Sequence, residues 1–67
     1  MGYSYDKLWK LLIDKKMKRE ELRKRTGISS TTLARMGKEE NVSLTVLAKI
    51  CDELDCDIGD IIEYKRG

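Results

Sequence analysis

The sequence contains no histidine and no proline, and only two of its 67 residues are cysteines. Without histidine the chain cannot build a Ser–His–Asp or Cys–His nucleophilic centre. Two cysteines alone do not supply the four ligands of a usual zinc site. The sequence therefore predicts a protein that is not an enzyme and that needs neither a metal nor another cofactor.

The two cysteines, Cys51 and Cys56, are close enough in sequence to form a disulfide. A single disulfide in a small chain without a signal peptide is less common than two thiols in a reducing cytosol. We favour free thiols. Cys51 also falls on the apolar face of a predicted helix, where a cysteine acts as a small hydrophobic residue.

Long apolar runs are missing as well, since the longest, such as residues 11–13, fall far short of the roughly 20 residues that span a bilayer. The N-terminus lacks the charged and then apolar layout of a signal peptide, so a cytoplasmic location without membrane contact is expected. The length allows one domain over residues 1–67. With 40% hydrophobic and 39% charged residues, the composition is typical of a soluble, folded, helical protein.

Charge is distributed unevenly along the chain although the net charge is only +2. Residues 15–38 contain nine cations and two anions, a local charge of +7, whereas residues 41–67 contain three cations and six anions, a local charge of −3. A basic stretch beside an acidic one indicates a surface that binds a polyanion. A solvated helix face is the alternative interpretation, and composition alone leaves both open.

The period of the apolar residues predicts five helices, at about residues 5–14, 19–26, 30–37, 44–54 and 58–63. The first buries a face made of Tyr5, Leu8, Trp9, Leu12 and Ile13. The fourth buries a face made of Leu44, Leu47, Ala48, Cys51 and Leu54. The expected N-terminal caps are Ser4, Ser29, Ser43 and Asp57.

The last predicted helix is ambiguous because its isoleucines, Ile58, Ile61 and Ile62, also favour a β-strand. Gly59 and the neighbouring aspartates argue for the helix. Residues 65–67 are expected to form a polar tail.

The second and third predicted helices are joined by a tight turn at Gly27, a residue that tolerates left-handed geometry. The third helix is unusual because Ser30, Thr31 and Thr32 are indifferent helix formers, and its outward face carries small hydroxyls and Arg35. A ligand can approach such a face closely, because its side chains are small. Two short helices of this kind are typical of a helix-turn-helix, in which the second helix enters the DNA major groove.

The run from Arg19 to Met36 resembles the Cro/C1 (XRE) family of prokaryotic and phage helix-turn-helix regulators. Residues 41–50 and 56–62 are similar to the fourth and fifth helices of that family, so the resemblance covers about residues 5–64. It implies an all-α, compact five-helix, lambda-repressor-like DNA-binding domain, with the helix-turn-helix at helices 2 and 3. One departure is Arg23, because the family often has alanine at this position. The guanidinium of Arg23 must bend out to solvent if the helices are to pack closely.

The resemblance implies double-stranded DNA as the partner and assigns contacts to particular residues. Arg35 is the strongest candidate, because it can bind guanine with two hydrogen bonds, although a surface ion pair with Glu39 is the alternative. The implied base contacts come from Ser30, Thr31 and Arg35, with apolar contact to a thymine methyl from Thr32 or Ala34. The implied phosphate contacts come from Arg19, Lys38, Asn41 and Ser43, and Arg19 could instead assist Ser30. Long-range attraction without defined contacts could come from Lys15, Lys16 and Lys18.

The function expected from this resemblance is that of a sequence-specific transcriptional regulator, most often a repressor in such families, with no evident small-molecule ligand. Such regulators commonly bind as dimers. The candidate dimer surface comprises Ile58, Ile61, Ile62 and Tyr64, unless these residues simply close the core. The alternative function keeps the fold but makes it a protein-interaction module, such as an antitoxin or an accessory factor of another regulator.

Overall fold

A computed structural model describes residues 2–66, and the two ends of the predicted domain, Met1 and Gly67, lie outside the described residues. Within these described residues the fold is mostly helical, with four α-helices and a two-stranded sheet. In chain order the elements are β1 (Gly2–Ser4), α1 (Asp6–Asp14), α2 (Arg19–Thr26), α3 (Ser30–Gly37), α4 (Leu44–Leu54), a short 3-10 helix (Ile58–Asp60) and β2 (Glu63–Lys65).

The predicted fifth helix at 58–63 is wrong beyond its first turn. Asp57 and Asp60 form a capping box, in which the Asp57 N–H donates to Asp60 Oδ2 at 3.0 Å, and this closes a single 3-10 turn. Ile61 ends the 3-10 turn with φ −124° and ψ −16°, its N–H donates to the Ile58 carbonyl, and the chain then continues into β2 at Glu63. Lys65, assigned to the polar tail, is therefore part of a strand.

The two strands pair antiparallel and join the two ends of the described chain. Tyr3 of β1 lies opposite Tyr64 of β2, and their rings pack edge to face with centroids 5.6 Å apart. Aromatic pairs of this geometry stabilise a sheet beyond the area that they bury. The sheet therefore adds to the helical fold that the sequence predicted.

The turns around α2 and α3 follow the predicted local signals. Gly27 ends α2 in the left-handed region at φ 75°, and its N–H donates to the Arg23 carbonyl at 2.9 Å. Ser29 then caps α3 by accepting the Thr32 N–H at 3.1 Å. Ser43 likewise caps α4 through the Val46 N–H at 3.2 Å. Ser4 lies one residue earlier than predicted, buried in β1 before the cap residue Tyr5, but its hydroxyl still accepts the N–H of Asp6, the first residue of α1, at 3.2 Å.

The core lies between the four helices and takes residues from every helix. Its buried members are Tyr5, Leu8, Leu12, Leu22, Ile28, Met36, Leu47, Ile50, Leu54 and Ile61. Three residues predicted to be buried are exposed: Ile13 at 74%, Leu44 at 72%, and Ala48. The first two lie in the terminal turns of their helices, where the apolar stripe extends past the partner helices.

Two further predictions about the core need correction. Ile61 was placed on a candidate dimer surface, but it is 0% exposed and closes the core below the sheet. Trp9 was expected to be a core anchor, but it is only half-buried and packs against the edge of the core. Cys51 is also half-buried there, and both cysteines are free thiols.

Alkaline pH should destabilise the fold through Cys56. Burial raises the pKa of this thiol to about 11 from an ordinary 9.0, so the thiol loses its proton more readily in the unfolded chain than in the folded one. The resulting stability is complete below about pH 9 and is lost as the pH rises to about 11. Burial also raises the pKa values of Cys51 and Tyr5, which act in the same direction.

The free energy of unfolding, measured with urea in the presence of a reductant, should stay level from about pH 7 to about pH 8 and fall above about pH 9. A Cys56→Ala variant should show a shallower fall, whatever its stability at neutral pH. Equal slopes for the variant and the wild type between about pH 9 and about pH 11 would refute the role of this thiol.

Candidate nucleic-acid interface

The outward face of α3 is made of small side chains around one arginine. Met36 is fully buried and Leu33 is half-buried, so these two residues anchor the helix to the core. Apart from Gly37 at its end, the exposed residues of α3 are Ser30, Thr31, Ala34 and Arg35. They are spaced i, i+1, i+4 and i+5 and therefore share one face, opposite the anchor.

Arg35 keeps its hydrogen-bond donors free for a ligand. It is exposed, and it forms no ion pair within residues 2–66. Glu39, its predicted alternative partner, pairs instead with Lys65 of β2, with Lys65 Nζ 3.6 Å from Glu39 Oε2. The surface ion pair that competed with a DNA role for Arg35 is therefore not formed.

Thr32 and Ala34, the two candidates for contact with a thymine methyl, differ in accessibility. The Thr32 hydroxyl lies 2.9 Å from the Ser29 hydroxyl at the helix cap, and the residue is half-buried. Ala34 is exposed on the same face as Arg35. Its methyl group is the more accessible apolar contact.

Three of the candidate phosphate-binding residues follow one another from the end of α3 to the start of α4. Lys38 is the C-terminal cap of α3, Asn41 is exposed in the connecting loop, and Ser43 caps α4. The Ser43 hydroxyl accepts the Val46 N–H, and the amides of Leu44 and Thr45 in the first turn of α4 have no hydrogen-bond partner among residues 2–66. Helix N-terminal amides of this kind bind anions.

Arg19, the fourth candidate, lies at the opposite end of α3 from Ser30. Its guanidinium carbon stands 3.7 Å from the centroid of the Trp9 ring on α1. Its Nη1 atom is 3.7 Å from the position that a Cβ on Gly37 would occupy. The structure therefore brings Arg19 to Trp9 and Gly37, and it does not bring Arg19 to Ser30, which it was expected to assist.

The Trp9–Arg19 contact is the feature of this interface that sequence reasoning missed. Helical periodicity assigned Trp9 to the core by its spacing with Leu8 and Leu12. No pattern within one helix reports a contact between side chains on two helices. The only available signal was an arginine at the first position of α2 with an aromatic residue on the preceding helix.

Two other cations of the basic stretch, Arg23 and Arg25, form ion pairs within the described residues. Arg23 bends toward solvent and pairs with Glu20, with its Nε atom 2.8 Å from Glu20 Oε1. This conformation accommodates an arginine where the family often has alanine. The hydrogen bond lowers the pKa of the Glu20 carboxyl and raises that of Arg23. Arg25 pairs with Glu21 at 2.8 Å and Glu53 at 3.5 Å. In the described part of the chain, no ion pair involves Lys15, Lys16 or Lys18.

An open apolar groove lies on the surface formed by β1, the start of α4 and the 3-10 helix. It has a volume of about 350 Å³, and its exposed walls include Tyr3, Leu44 and Ile58. Of the candidate dimer residues, Ile58 and Ile62 line this apolar groove. Tyr64, 51% exposed, adjoins it by packing on Tyr3. Asn41 lies at its rim, so the groove borders one of the candidate phosphate contacts.

No helix among residues 2–66 has the length and apolar character needed to cross a membrane. Over the same range, no cluster of three or more histidine, cysteine, aspartate or glutamate side chains is placed to hold a metal ion.

Comparison with known proteins gives three consistent matches. The model of the Cro/C1-type HTH DNA-binding domain family matches residues 7–67. A Bacillus subtilis (strain 168) protein, described as the uncharacterized HTH-type transcriptional regulator YozG, is 39% identical over 57 residues, which are 82% of this chain and 68% of the relative. The crystal structure of the transcriptional regulator VanUg is similar with a TM-score of 0.96 and 59% identity, covering 98% of this chain and 88% of that one.

Proposed function

The chain belongs to the Cro/C1-type helix-turn-helix DNA-binding family, and from that premise we propose that it is a sequence-specific transcriptional regulator that inserts α3 into the major groove of an operator. The observation that carries this proposal is the exposed face of α3, where small side chains surround the unpaired Arg35. The major groove, about 12 Å wide, admits one α-helix with its side chains. Small residues on the helix allow its backbone to approach the base edges.

The proposed contacts divide between bases and phosphates. Arg35 binds O6 and N7 of a guanine, the hydroxyls of Ser30 and Thr31 contact base edges, and Ala34 packs on a thymine methyl, with Thr32 in a lesser role. The phosphates are held by Arg19, Lys38, Asn41 and the amides at the Ser43 cap. Phosphate contacts fix the register, whereas the base contacts select the sequence.

We further propose that the protein acts in the cytoplasm by occupying its operator, as a repressor, without a catalytic step. An α3 buried in the major groove excludes other proteins from the same base pairs. The family match supports DNA binding and transcriptional regulation as the activity.

The proposal is tested by fluorescence anisotropy on a duplex from the promoter of this gene and on a scrambled duplex, each at two salt concentrations. We expect tighter binding to the promoter duplex, with a salt dependence that reflects several neutralised phosphates. Weak and equal binding to both duplexes would contradict a sequence-reading role for α3 at this promoter.

A second candidate function, a protein-interaction module such as an antitoxin or an accessory factor, is favoured by one observation. The apolar groove leaves Leu44 72% exposed and Ile58 39% exposed, and neighbouring apolar residues of this kind often mark protein contacts. This function predicts that a tagged protein captures a partner from the cell extract through the groove while showing no preference among duplexes.

For the regulator, we propose that the occupant of the apolar groove is a second copy of the chain. One helix-turn-helix reads few base pairs, and a dimer doubles the site by placing two recognition helices about one DNA turn apart. Ile58, Ile62 and Tyr64 stay in this dimer surface, together with Tyr3 and Leu44, whereas the buried Ile61 does not.

The dimer predicts different masses for two isoleucine variants in sedimentation equilibrium at micromolar protein. Ile58→Glu places a charge in the apolar groove and should give a monomer. Ile13→Glu changes an equally apolar and more exposed side chain outside the groove, and it should leave the wild-type dimer intact. A monomeric wild type, or one mass for all three proteins, would exclude the dimer at this surface.

A further inference from the structure

We propose that Trp9 is a positioning residue, which holds the guanidinium of Arg19 as a preformed clamp for a DNA backbone phosphate. This inference rests on the proposed DNA-binding function and extends it to a residue that makes no DNA contact of its own. It depends on how the guanidinium is stacked, which of its donors stay free, and what lies at the adjacent end of α3.

The guanidinium is stacked on a flat apolar surface. Arg19 is the first residue of α2, and its guanidinium carbon lies 3.7 Å from the centroid of the half-buried Trp9 ring. This is well inside the distance of about 6 Å at which a cation is attracted to the face of an indole. The contact joins α1 to α2 and restricts a side chain that would otherwise sample many rotamers in solvent.

Stacking uses the face of the guanidinium and leaves its edge available. The five N–H donors of an arginine lie in the plane of the group, so a partner against the face does not engage them. Arg19 is exposed, and no side-chain hydrogen bond or ion pair of its own is seen from Gly2 to Arg66. A planar, fixed cation with free donors matches the geometry of a phosphate, which it can bind with two parallel hydrogen bonds.

The guanidinium also lies beside the end of α3. Gly37 is the last residue of that helix, and a Cβ at this position would stand 3.7 Å from Arg19 Nη1, in ordinary van der Waals contact. The guanidinium is therefore held next to the C-terminal end of the proposed recognition helix.

The clamp is located where a phosphate contact would complement the rest of the interface. Arg19 stands at the C-terminal end of α3, and the next residue after Gly37 is the exposed Lys38. Two cations therefore border the same end of the recognition helix. Since a restrained arginine loses less conformational entropy when it binds, stacking on Trp9 increases the affinity for the phosphate.

A cation near the C-terminal end of a helix also interacts favourably with the helix dipole. Arg19 could in that case serve only to stabilise α3. The two roles differ in what they change: a phosphate clamp alters the salt dependence of DNA binding, whereas a dipole contact alters only the stability of the fold.

The test compares Arg19→Ala, Trp9→Leu, Trp9→Phe and the double variant Trp9→Leu/Arg19→Ala, with thermal unfolding used to select conditions in which each is folded. Affinity for the promoter duplex and for a scrambled duplex is measured against salt. Arg19→Ala should weaken binding to both duplexes by the same factor and reduce the salt slope by about 0.9, the value for one phosphate.

Trp9→Leu should weaken DNA binding about two- to five-fold, which is the fold-change expected for the loss of an exposed cation–π contact. Trp9→Phe keeps an aromatic ring at this position, so its affinity should be close to that of the wild type. The double variant should bind no more weakly than Arg19→Ala, because Trp9 acts only through Arg19.

Trp9 is the single tryptophan of the chain, so its fluorescence should change when DNA binds to the wild type and not when it binds to Arg19→Ala.

An unchanged salt slope in Arg19→Ala together with a lowered unfolding temperature would overturn the clamp and leave Arg19 a stabilising role. Losses from Trp9→Leu and Arg19→Ala that add in the double variant would exclude Trp9 as a positioning residue. Either result can occur while the wild type still prefers its promoter duplex. A wild type without that preference would instead contradict the proposed function, and the salt slope on scrambled DNA would still decide whether the clamp exists.

Discussion

Replacing Arg35 with alanine should weaken binding to the operator by about 1–3 kcal/mol and leave binding to scrambled DNA nearly unchanged. Arg35 is exposed on the outward face of α3, and Glu39, the ion-pair partner that the sequence suggests, lies beyond the end of the helix and is engaged with Lys65. Its donors are therefore free for a guanine, and a lost pair of hydrogen bonds to a base reduces only sequence-specific binding. Anisotropy titrations on the two duplexes measure both affinities.

Two control variants separate the charge of Arg35 from its shape. Arg35→Lys keeps the charge but loses the planar fork, so its binding to the operator should also fall while its salt slope stays at the wild-type value. Lys49→Ala removes an exposed positive charge from α4, outside the interface, and should bind both duplexes almost as the wild type does. An equal loss on both duplexes for Arg35→Ala would show that Arg35 binds phosphate instead of a base.

Replacing Leu22 with alanine should have the largest effect on stability. Leu22 is 0% exposed in the middle of α2, where it joins the helix-turn-helix to the rest of the core. Truncation of a buried leucine costs about 2–5 kcal/mol. A single core in a chain of this size rarely provides more than about 3–5 kcal/mol, so the variant should be largely unfolded.

The matched control is Ile13→Ala, which truncates an aliphatic side chain of the same size at a residue that is 74% exposed and lies outside the apolar groove. Its cost should stay within about 0.5 kcal/mol. Urea denaturation followed by circular dichroism compares the two variants with the wild type. Similar midpoints for Leu22→Ala and Ile13→Ala would mean that the core is not organised around α2 as described.

The parts of the fold that were predictable from sequence depend on contacts between near neighbours. The cap at Ser29, the left-handed Gly27 and the apolar anchor Met36 are each determined within a few residues, and α2 and α3 have the predicted bounds. The resemblance of residues 19–36 to Cro/C1-type regulators rests on the same local signals, and the family match confirms it.

The parts that could not be predicted depend on contacts between distant residues. The pairing of Tyr3 with Tyr64 joins three-residue strands from opposite ends of the chain, and strands so short have too little pattern to be recognised. In the segment before β2, Ile61 is buried while Ile58 is 39% exposed, a difference that the shared residue type does not indicate. Periodicity predicts a buried face but does not indicate where the neighbouring helix ends, which explains the exposed Ile13.

The residues of the candidate site likewise divide into those whose positions follow from the sequence and those whose positions depend on distant contacts. The outward face of α3, with its small hydroxyls and Arg35, follows from the sequence, whereas the contact of Ala34 with a base is what the family resemblance implies. The position of Arg19 does not follow from spacing, because it depends on a contact with Trp9 from another helix.

The central claim, that α3 reads DNA, is tested most directly by mapping backbone amide chemical shifts on addition of an operator duplex selected from a library of random duplexes. The account predicts that the largest changes fall on α3 from Ser30 to Gly37, with further changes at Arg19, Lys38 and Asn41. Largest changes at Tyr3, Ile58 and Tyr64, with α3 unperturbed, would contradict it and place the binding surface at the apolar groove.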